Sequence, residues 1–530
     1  MNVLGYSGLH QSVPFKKREL PGLAAREYRV AQGFDAAAAL VRGSEIAAAA
    51  AEERFTREKT TGAFPARAIK YCLDAGGMAP AGVDFVAHAF SYEPFRELFA
   101  ADDFRRRQFE EVYDPAVQRR NLREFLPGWE WEGKLIPVEH HLAHAASAFY
   151  PSGFSEALIV VSDGMGEAHS MTVAVGQGTK IEVLRQIPAL HSLGILYSVF
   201  TLYLGFDFGV DEYKVMGLAP GGDSRRFFEP VSELIQLKPD GTYTIPVFAA
   251  NRDVLEKETH RGVLRELENR FGPPRVPKTE IGARERDLAA GLQAVLQNCQ
   301  MHVLRHFQRE TGMENLCLAG GVALNCSCNG VIRRSRLFKR MFVQPAAGDD
   351  GSALGAALCV AAENDPTFQP SRMPPPLWGP EFSADDLQAL LSSRTDCHAR
   401  SVESFADLCR DVARRLAAGQ IIGWFQGRME FGPRALGNRS ILADPRDPGM
   451  RDKLNNLVKK RESFRPFAPI VRSEAAARYF DLAPGEEDTF AHMLVVTSVR
   501  REFRDQLPAV THADGSARVQ TVSRDDYARL

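Results

Sequence analysis

The chain has 530 residues, 45% of them hydrophobic and 25% charged, and its 65 basic residues nearly balance 67 acidic ones, for a net charge of −2. That length exceeds what one hydrophobic core supports, so two or more domains are expected. The balanced charge argues against nucleic acid, whose binders gain affinity from a basic surplus, and no apolar run approaches the length of a membrane span.

The opening Met1-Asn2-Val3-Leu4-Gly5-Tyr6 lacks a basic stretch followed by an apolar one. Cytoplasm is therefore the expected compartment. The eight cysteines are scattered, as in proteins kept reduced; only Cys326-Ser327-Cys328 is close-spaced, and no second pair completes a zinc site.

In chain order, strands are expected at residues 3–6, 36–41 and 45–51, with a Gly43-Ser44 turn between the last two. The helical period and a glycine stop mark 66–76, and 117–125 reads as a solvated helix face. A second meander begins at Leu158-Ile159-Val160-Val161, which ends in Asp163-Gly164. It continues with strands at 171–175 and 181–184 around Gly176-Gln177-Gly178. Two such meanders, each trailed by helices, predict a duplicated α/β domain with a cleft between its halves. Ala283–Thr311 is a long amphipathic helix. Prolines 366, 370, 374, 375, 376 and 380 then predict an extended linker over 363–382, separating a domain at 1–362 from another at 383–530.

The chemistry concentrates at Glu139-His140-His141-Leu142-Ala143-His144. On a helix, His140 and His144 stand one turn apart on one face, the spacing two imidazoles need to share a metal; His141 and His144 offer an alternative pair. Asp163, where a buried strand stops, and Asp349, before a glycine-rich helix start, can complete the shell. Two imidazoles and two carboxylates suit Fe(II), Mn(II) or Zn(II). The bland alternative for each aspartate is a turn former or helix cap. Gly320-Gly321 follows the strand Leu316-Cys317-Leu318, and glycine there allows backbone to approach a nucleotide closely. No Walker A lysine motif and no dinucleotide fingerprint appear. In the second domain, Gly427-Arg428-Met429-Glu430-Phe431-Gly432-Pro433-Arg434 runs on through Arg439-Ser440, and Lys459-Lys460-Arg461 is followed by Arg465. Arginines interleaved with glycine and proline read as loops aiming guanidinium forks at phosphate or carboxylate.

Together these stretches, with Glu52-Glu53-Arg54-Phe55-Thr56-Arg57, Asp163-Gly164-Met165-Gly166-Glu167, Asp211-Glu212-Tyr213-Lys214 and Ala347-Gly348-Asp349-Asp350-Gly351, resemble the NodU/CmcH family of O-carbamoyltransferases. Members tailor antibiotics and nodulation factors. The resemblance runs in family order across nearly the whole chain. It implies an α/β first domain of the duplicated actin/sugar-kinase (TsaD-like) type and a YrdC-like α/β second domain. It also implies a two-step reaction. Carbamoyl phosphate and ATP give carbamoyl adenylate, whose carbamoyl group then passes to a hydroxyl of a small secondary-metabolite acceptor.

Carried over by resemblance, His140, His144, Asp163 and Asp349 are iron-type metal ligands, and Lys59, Gly320, Gly321 and Asn325 belong to the adenylate site. Arg428, Arg434, Arg439, Ser440, Lys459, Arg461 and Arg465 lie in the carbamoyl phosphate and ATP site. The implied cofactors are ATP with Mg(II), carbamoyl phosphate, and a divalent metal, Fe(II) foremost. The expected partner is a small-molecule hydroxyl acceptor, with neither nucleic acid nor membrane, and a homodimer is the assembly to test. Residues 92–131 and 206–209 are where the acceptor pocket is expected.

Two departures stand out. Family members carry a His-Asp pair where this chain has Phe34-Asp35, and phenylalanine cannot take a proton. Asp35, with His10 as a substitute base, is then the candidate catalytic set. Family chains also continue past Arg518-Val519-Gln520-Thr521-Val522 into a further Asn-Thr-Ser-Phe-Asn type segment, so the YrdC-like domain is expected to be C-terminally truncated. Within the superfamily the rival is a hydrogenase-maturation or tRNA-threonylcarbamoyl type enzyme. Outside it, the rival is an actin- or chaperone-like ATP-binding switch.

Overall fold

The computed structural model describes residues 1–524, and the chain divides into two compact units, Met1–Met373 and Pro374–Leu530. In the first unit, β1 (Asn2–Tyr6), β2 (Ala37–Arg42), β3 (Glu45–Ala51), β4 (Phe85–His88) and β5 (Leu135–Pro137) form one sheet in the order β3-β2-β1-β4-β5. The first three strands are antiparallel, while β1, β4 and β5 run parallel.

The second sheet repeats this plan. Here β6 (Glu156–Ser162), β7 (His169–Gln177), β8 (Lys180–Pro188), β9 (Asn315–Ala319) and β10 (Arg340–Val343) are ordered β10-β9-β6-β7-β8. Its β6–β7–β8 pairs are antiparallel and its β6–β9–β10 pairs parallel. The same topology occurring twice is the duplicated α/β arrangement expected from the sequence.

Alanine has no preference of its own for strands, yet Ala38, Ala39, Ala48 and Ala49 are fully buried in β2 and β3. Their small size lets helices close on both faces of the sheet. Helix α1 (Ala66–Ala75) lays Ala68, Ile69, Cys72 and Leu73 against that layer. Helix α2 (His140–Phe149) follows β5, and the last helix of the unit, Asp349–Asn364, follows β10 at the equivalent place.

These two helices cross closely: a Cβ at Gly355 would lie 1.7 Å from the Ala143 carbonyl oxygen. The later helix also meets the first sheet closely, since a Cβ at Gly5 would lie 2.0 Å from the Ala353 carbonyl oxygen. Between β8 and β9 come α3 (Leu193–Tyr203) and α4 (Ala283–Thr311), the latter with the bounds the sequence suggests; α5 (Cys326–Arg334) follows β9, and Asp349–Asn364 is α6.

The proline-rich stretch is extended, but it is fastened at both ends. Helix α6 runs on to Asn364. Ser371 and Met373 then donate backbone N–H bonds to the carbonyls of Tyr150 (3.1 Å) and Pro151 (3.0 Å), and Phe368 is buried. Beyond residue 373, Gly379 donates to Met429 and Phe431 to Pro376, at 2.9 and 2.7 Å. Proline removes donors, yet the residues between the prolines keep theirs, and Phe368 and Trp378 bury their rings.

The second unit holds α7 (Ala384–Ser392), α8 (Phe405–Ala417) and three separate strand pairs among its described residues. Strands β11 (Ile422–Phe425) and β12 (Arg439–Leu442) are antiparallel; β13 (Ile470–Arg472) runs parallel to β16 (Gln520–Val522); and β14 (Val496–Ser498) pairs antiparallel with β15 (Ser516–Arg518). A small core gathers Leu436, Met493 and Val522. Among the described residues no helix is long and apolar enough to cross a membrane.

Candidate metal centre and transfer site

Helix α2 opens with His140 and carries His144 one turn later, and both are fully buried. Asp163 follows the last residue of β6, and Asp349 opens α6. One donor atom from each of the four lies within 4.8 Å of all the others. The two Nε2 atoms are 3.1 Å apart. Asp163 Oδ2 lies 3.6 Å from His140 Nε2, and Asp349 Oδ1 lies 3.4 Å from His140 Nε2 and 3.6 Å from His144 Nε2. Two ligand atoms bound at about 2.1 Å to one cation stand roughly 3.0–3.4 Å apart, so the imidazole spacing fits a shared ion.

The surroundings fix the ligands' roles. His140 Nδ1 donates to the Ala89 carbonyl at 3.0 Å, leaving the Nε2 lone pair to the centre, and Phe90 stacks on the ring at 4.2 Å. His144 Nδ1 is buried and makes no hydrogen bond among the described residues. Asp163 Oδ1 accepts the Gly321 N–H at 2.8 Å.

Burial opposes a proton on His140, but the charge of Asp349 and the hydrogen bonds to Asp163 and Asp349 hold its pKa well above the usual histidine range. Burial would likewise raise Asp163 and Asp349, yet the same imidazoles hold both carboxyls below the usual range. One imidazolium between two buried carboxylates still leaves negative charge. A divalent cation neutralises it while displacing that proton. The donor set therefore fits a divalent metal.

His141 is not part of this centre. Its Nδ1 meets Thr172 Oγ1 at 2.8 Å, and burial drives its pKa well below the usual value. The spacing arguments alone left both histidine pairs open; the orientation of α2 selects His140 and His144. Glu167, given no role by the sequence reading, is what pins that helix. Its buried carboxylate accepts the His140 N–H at 3.0 Å and the Ser91 N–H at 2.7 Å, and burial pushes its pKa up to about 7.

Residues 30–358 match the family described as Carbamoyltransferase N-terminus, and residues 413–530 match Carbamoyltransferase C-terminus. The chain belongs to the carbamoyltransferase family. Nodulation protein NolNO of Sinorhizobium fredii is 40% identical over 503 residues, covering 93% of this chain and 70% of that protein. Nodulation protein NolO of Bradyrhizobium diazoefficiens is 43% identical over 387 residues, 73% of this chain and 68% of that one. Among solved structures, T. kodakarensis HypF aligns with 69% of this chain and 48% of its own at 13% identity and a TM-score of 0.37. Family membership sets aside the actin- or chaperone-like switch.

Around the metal centre of this carbamoyltransferase, Asp35 sits close by. A Cβ at Gly348, the residue before Asp349, would lie 3.4 Å from Asp350 Oδ1 and 3.9 Å from Asp35 Oδ2. Asp35 adopts the left-handed region with φ +53°, a strained conformation for a non-glycine residue. Burial, then Asp350, Asp349 and Glu53, push its carboxyl well above the usual range, and burial with Glu53 pushes Asp350 up to about 7. The neighbouring Phe34 ring carries the Arg29 guanidinium at 4.6 Å. Gln32 in the same segment donates to the carbonyls of Met165 (2.6 Å) and Gly166 (2.9 Å), on the loop that follows Asp163.

His10 is placed elsewhere. Its Nδ1 accepts the Phe64 N–H at 3.3 Å and its ring packs edge-on against Phe125, so its contacts belong to the helix layer of the first sheet. Lys59 is exposed on the loop after the short helix Glu53–Thr56. Gly320 allows a close approach, since a Cβ there would lie 2.4 Å from the Ser162 carbonyl oxygen. Because Gly321 spends its N–H on Asp163, that turn braces one member of the candidate centre. Asn325 caps α5 through Cys328 N–H at 2.9 Å and pairs its amide with Gln293.

In the second unit, Arg428 donates to the Trp378 carbonyl at 2.7 Å, and Arg439 pairs with Glu430 at 2.6 Å. Ser440 is buried in β12 opposite Trp424. Arg461 donates to Asn455 at 2.7 Å and lies over Phe467. Arg465 approaches Glu462 at 3.9 Å, Lys459 is exposed, and Arg434 is partly buried between Gly432 and Gly437.

Proposed function

We propose that this chain is an ATP-dependent O-carbamoyltransferase of two coupled steps. In the Pro374–Leu530 unit, carbamoyl phosphate is hydrolysed to carbamate and phosphate, and carbamate attacks the α-phosphorus of ATP to give carbamoyl adenylate and pyrophosphate. In the Met1–Met373 unit, a hydroxyl of a small-molecule acceptor attacks the carbamoyl carbon, the bond to the AMP oxygen breaks, and a carbamate ester and AMP leave.

The observation that carries the reading is the convergence of His140, His144, Asp163 and Asp349 beside the Asp35 and Asp350 carboxyls, in a chain of the carbamoyltransferase family. A bound divalent cation, Fe(II) being suited to two imidazoles and two carboxylates, supplies Lewis-acid polarisation and neutralises phosphate charge. The chain's own groups do the rest. The Ala89 carbonyl and Glu167 orient His140, and Gly321 orients Asp163. Asp35, whose carboxyl is raised by burial, is a stronger base than an ordinary carboxylate and takes the proton of the acceptor hydroxyl, the task for which Phe34 is unfit. In the second unit, Arg428, Arg434, Lys459, Arg461 and Arg465 offer positive charge to the phosphates.

The test is pyrophosphate release by the full chain with ATP alone, with ATP plus carbamoyl phosphate, and with a hydroxyl acceptor added. Release is expected only when carbamoyl phosphate is present, with AMP appearing on addition of acceptor. Asp349→Asn should keep the first signal and lose the second. Pyrophosphate release that ignores carbamoyl phosphate would refute the proposal.

A further inference from the structure

The arginine- and glycine-rich stretch of the second unit encloses an acid to which the reaction assigns no part. The Glu430 side chain is wholly shielded from solvent. Its Oε1 accepts the N–H groups of Leu436 and Asn438 at 2.7 and 2.8 Å, and its Oε2 accepts Arg439 Nε at 2.6 Å. Arg439 Nη2 also donates to the Glu430 carbonyl at 3.3 Å. Burial alone would raise this carboxyl, but Arg439 and the backbone donors hold it below the usual range.

Gly432 and Gly437, with φ of +108° and +119°, bound the turn that carries Pro433 and Arg434. Glycine-bounded turns often direct successive N–H groups at a phosphate. Here two of those N–H groups are already taken by Glu430, an anion supplied by the chain itself. Other bonds fix the turn's ends: Gln520 Nε2 donates to the Leu436 carbonyl and Asn438 Nδ2 to the Arg428 carbonyl, each at 2.7 Å.

We infer that Glu430 is a positioning residue that shapes the 432–438 turn from inside so that Arg434 is presented to the phosphates, and that Arg439 is the counter-ion of Glu430, not a phosphate ligand. The inference rests on the adenylating role proposed for this unit. It follows from the geometry because Arg439 turns its Nε and Nη2 edge to Glu430, and a buried carboxylate stripped of that partner is left as an uncompensated charge.

Rescue distinguishes the two roles of Arg439. Carbamoyl-phosphate-dependent pyrophosphate release, separated into kcat and KM, is measured for the full chain and for Arg439→Met, Arg434→Met and the double variant Glu430→Gln/Arg439→Met. The single Arg439→Met should lower the Tm and reduce kcat/KM about 100-fold, because Glu430 is left unpaired. The double variant should recover at least about tenfold of that loss, since glutamine accepts the same two N–H groups without needing a cation. Arg434→Met should raise the KM for carbamoyl phosphate about tenfold or more, as expected for a lost charge-assisted contact. Hydrogen exchange at the Leu436 and Asn438 amides should stay slow in the double variant and become fast in Glu430→Ala. If the double variant regains Tm and amide protection yet remains as inactive as Arg439→Met, Arg439 is a phosphate ligand and the inference is overturned. If the unaltered chain releases no pyrophosphate, the adenylating role fails instead, and amide exchange still decides whether Glu430 shapes the turn.

Discussion

The two units build their charged sites in opposite ways. The candidate metal centre of the Met1–Met373 unit gathers its four side chains from α2, the end of β6 and the start of α6, segments far apart in sequence that meet because two duplicated sheets bring their trailing helices together. The Glu430 turn of the other unit closes largely within a dozen residues, an acid and an arginine of the same stretch meeting each other, with one outside bond from Gln520 to the Leu436 carbonyl. A centre made from distant pieces depends on the packing of the whole unit. A locally closed turn depends mainly on its own hydrogen bonds.

Removing a ligand should break the first kind of site most severely. His140→Ala or Asp349→Ala should lower carbamoyl transfer by about three orders of magnitude and release the metal, because the remaining ligands no longer close the shell; elemental analysis of the purified variant checks this. Next in size, Asp35→Asn should slow transfer about 100-fold, as for a lost general base. His10→Gln should change it less than about threefold, since His10 contacts Phe64 and Phe125 instead of the centre. The reverse order of the two effects in single-turnover transfer would show that the base has been misassigned.

Packing gives a second contrast. Gly355→Ala would place a methyl 1.7 Å from the Ala143 carbonyl oxygen, and forcing α2 and α6 apart should cost about 3 kcal/mol, with metal affinity falling alongside. Gly423→Ala in β11 meets nothing within 4 Å and should alter stability by less than about 1 kcal/mol. Thermal unfolding of the two variants compares them directly.

Acid should weaken both units, a smaller effect. Burial lowers the pKa of His88 to about 4 and that of His260 to about 3 in the first unit, and that of His512 to about 4 in the second. Each folded-state value lies below the unfolded value near 6.5, so the folded chain binds fewer protons. The associated stability is present above about pH 6.5 and is lost as pH falls toward 4. A shift of that size is worth about 3 kcal/mol per residue. Urea midpoints measured at pH 7 and pH 5 should drop, and His88→Asn should reduce the drop; pH-independent midpoints would contradict it.

Much of this was legible in the residues themselves. The period of 283–311 marks α4, and the four-residue spacing from His140 to His144 places two imidazoles on one helical face. An aspartate where an apolar run stops lies where α/β strands present side chains. These signals are local, and local geometry follows from backbone periodicity. Asp35 was marked by the departure at Phe34, although nothing in the sequence indicated that Asp350 would press against it.

Tertiary structure alone decided the rest. Whether His141 or His140 joins His144 depends on the rotation of α2, set by Glu167 at its first N–H and by the Gly355–Ala143 crossing with α6. His10 and Asn325 had plausible chemistry but are occupied by Phe64 and by the cap of α5. Sequence lists which groups can donate, accept or bind. Which of them remain available for chemistry is settled only once packing has satisfied every buried partner.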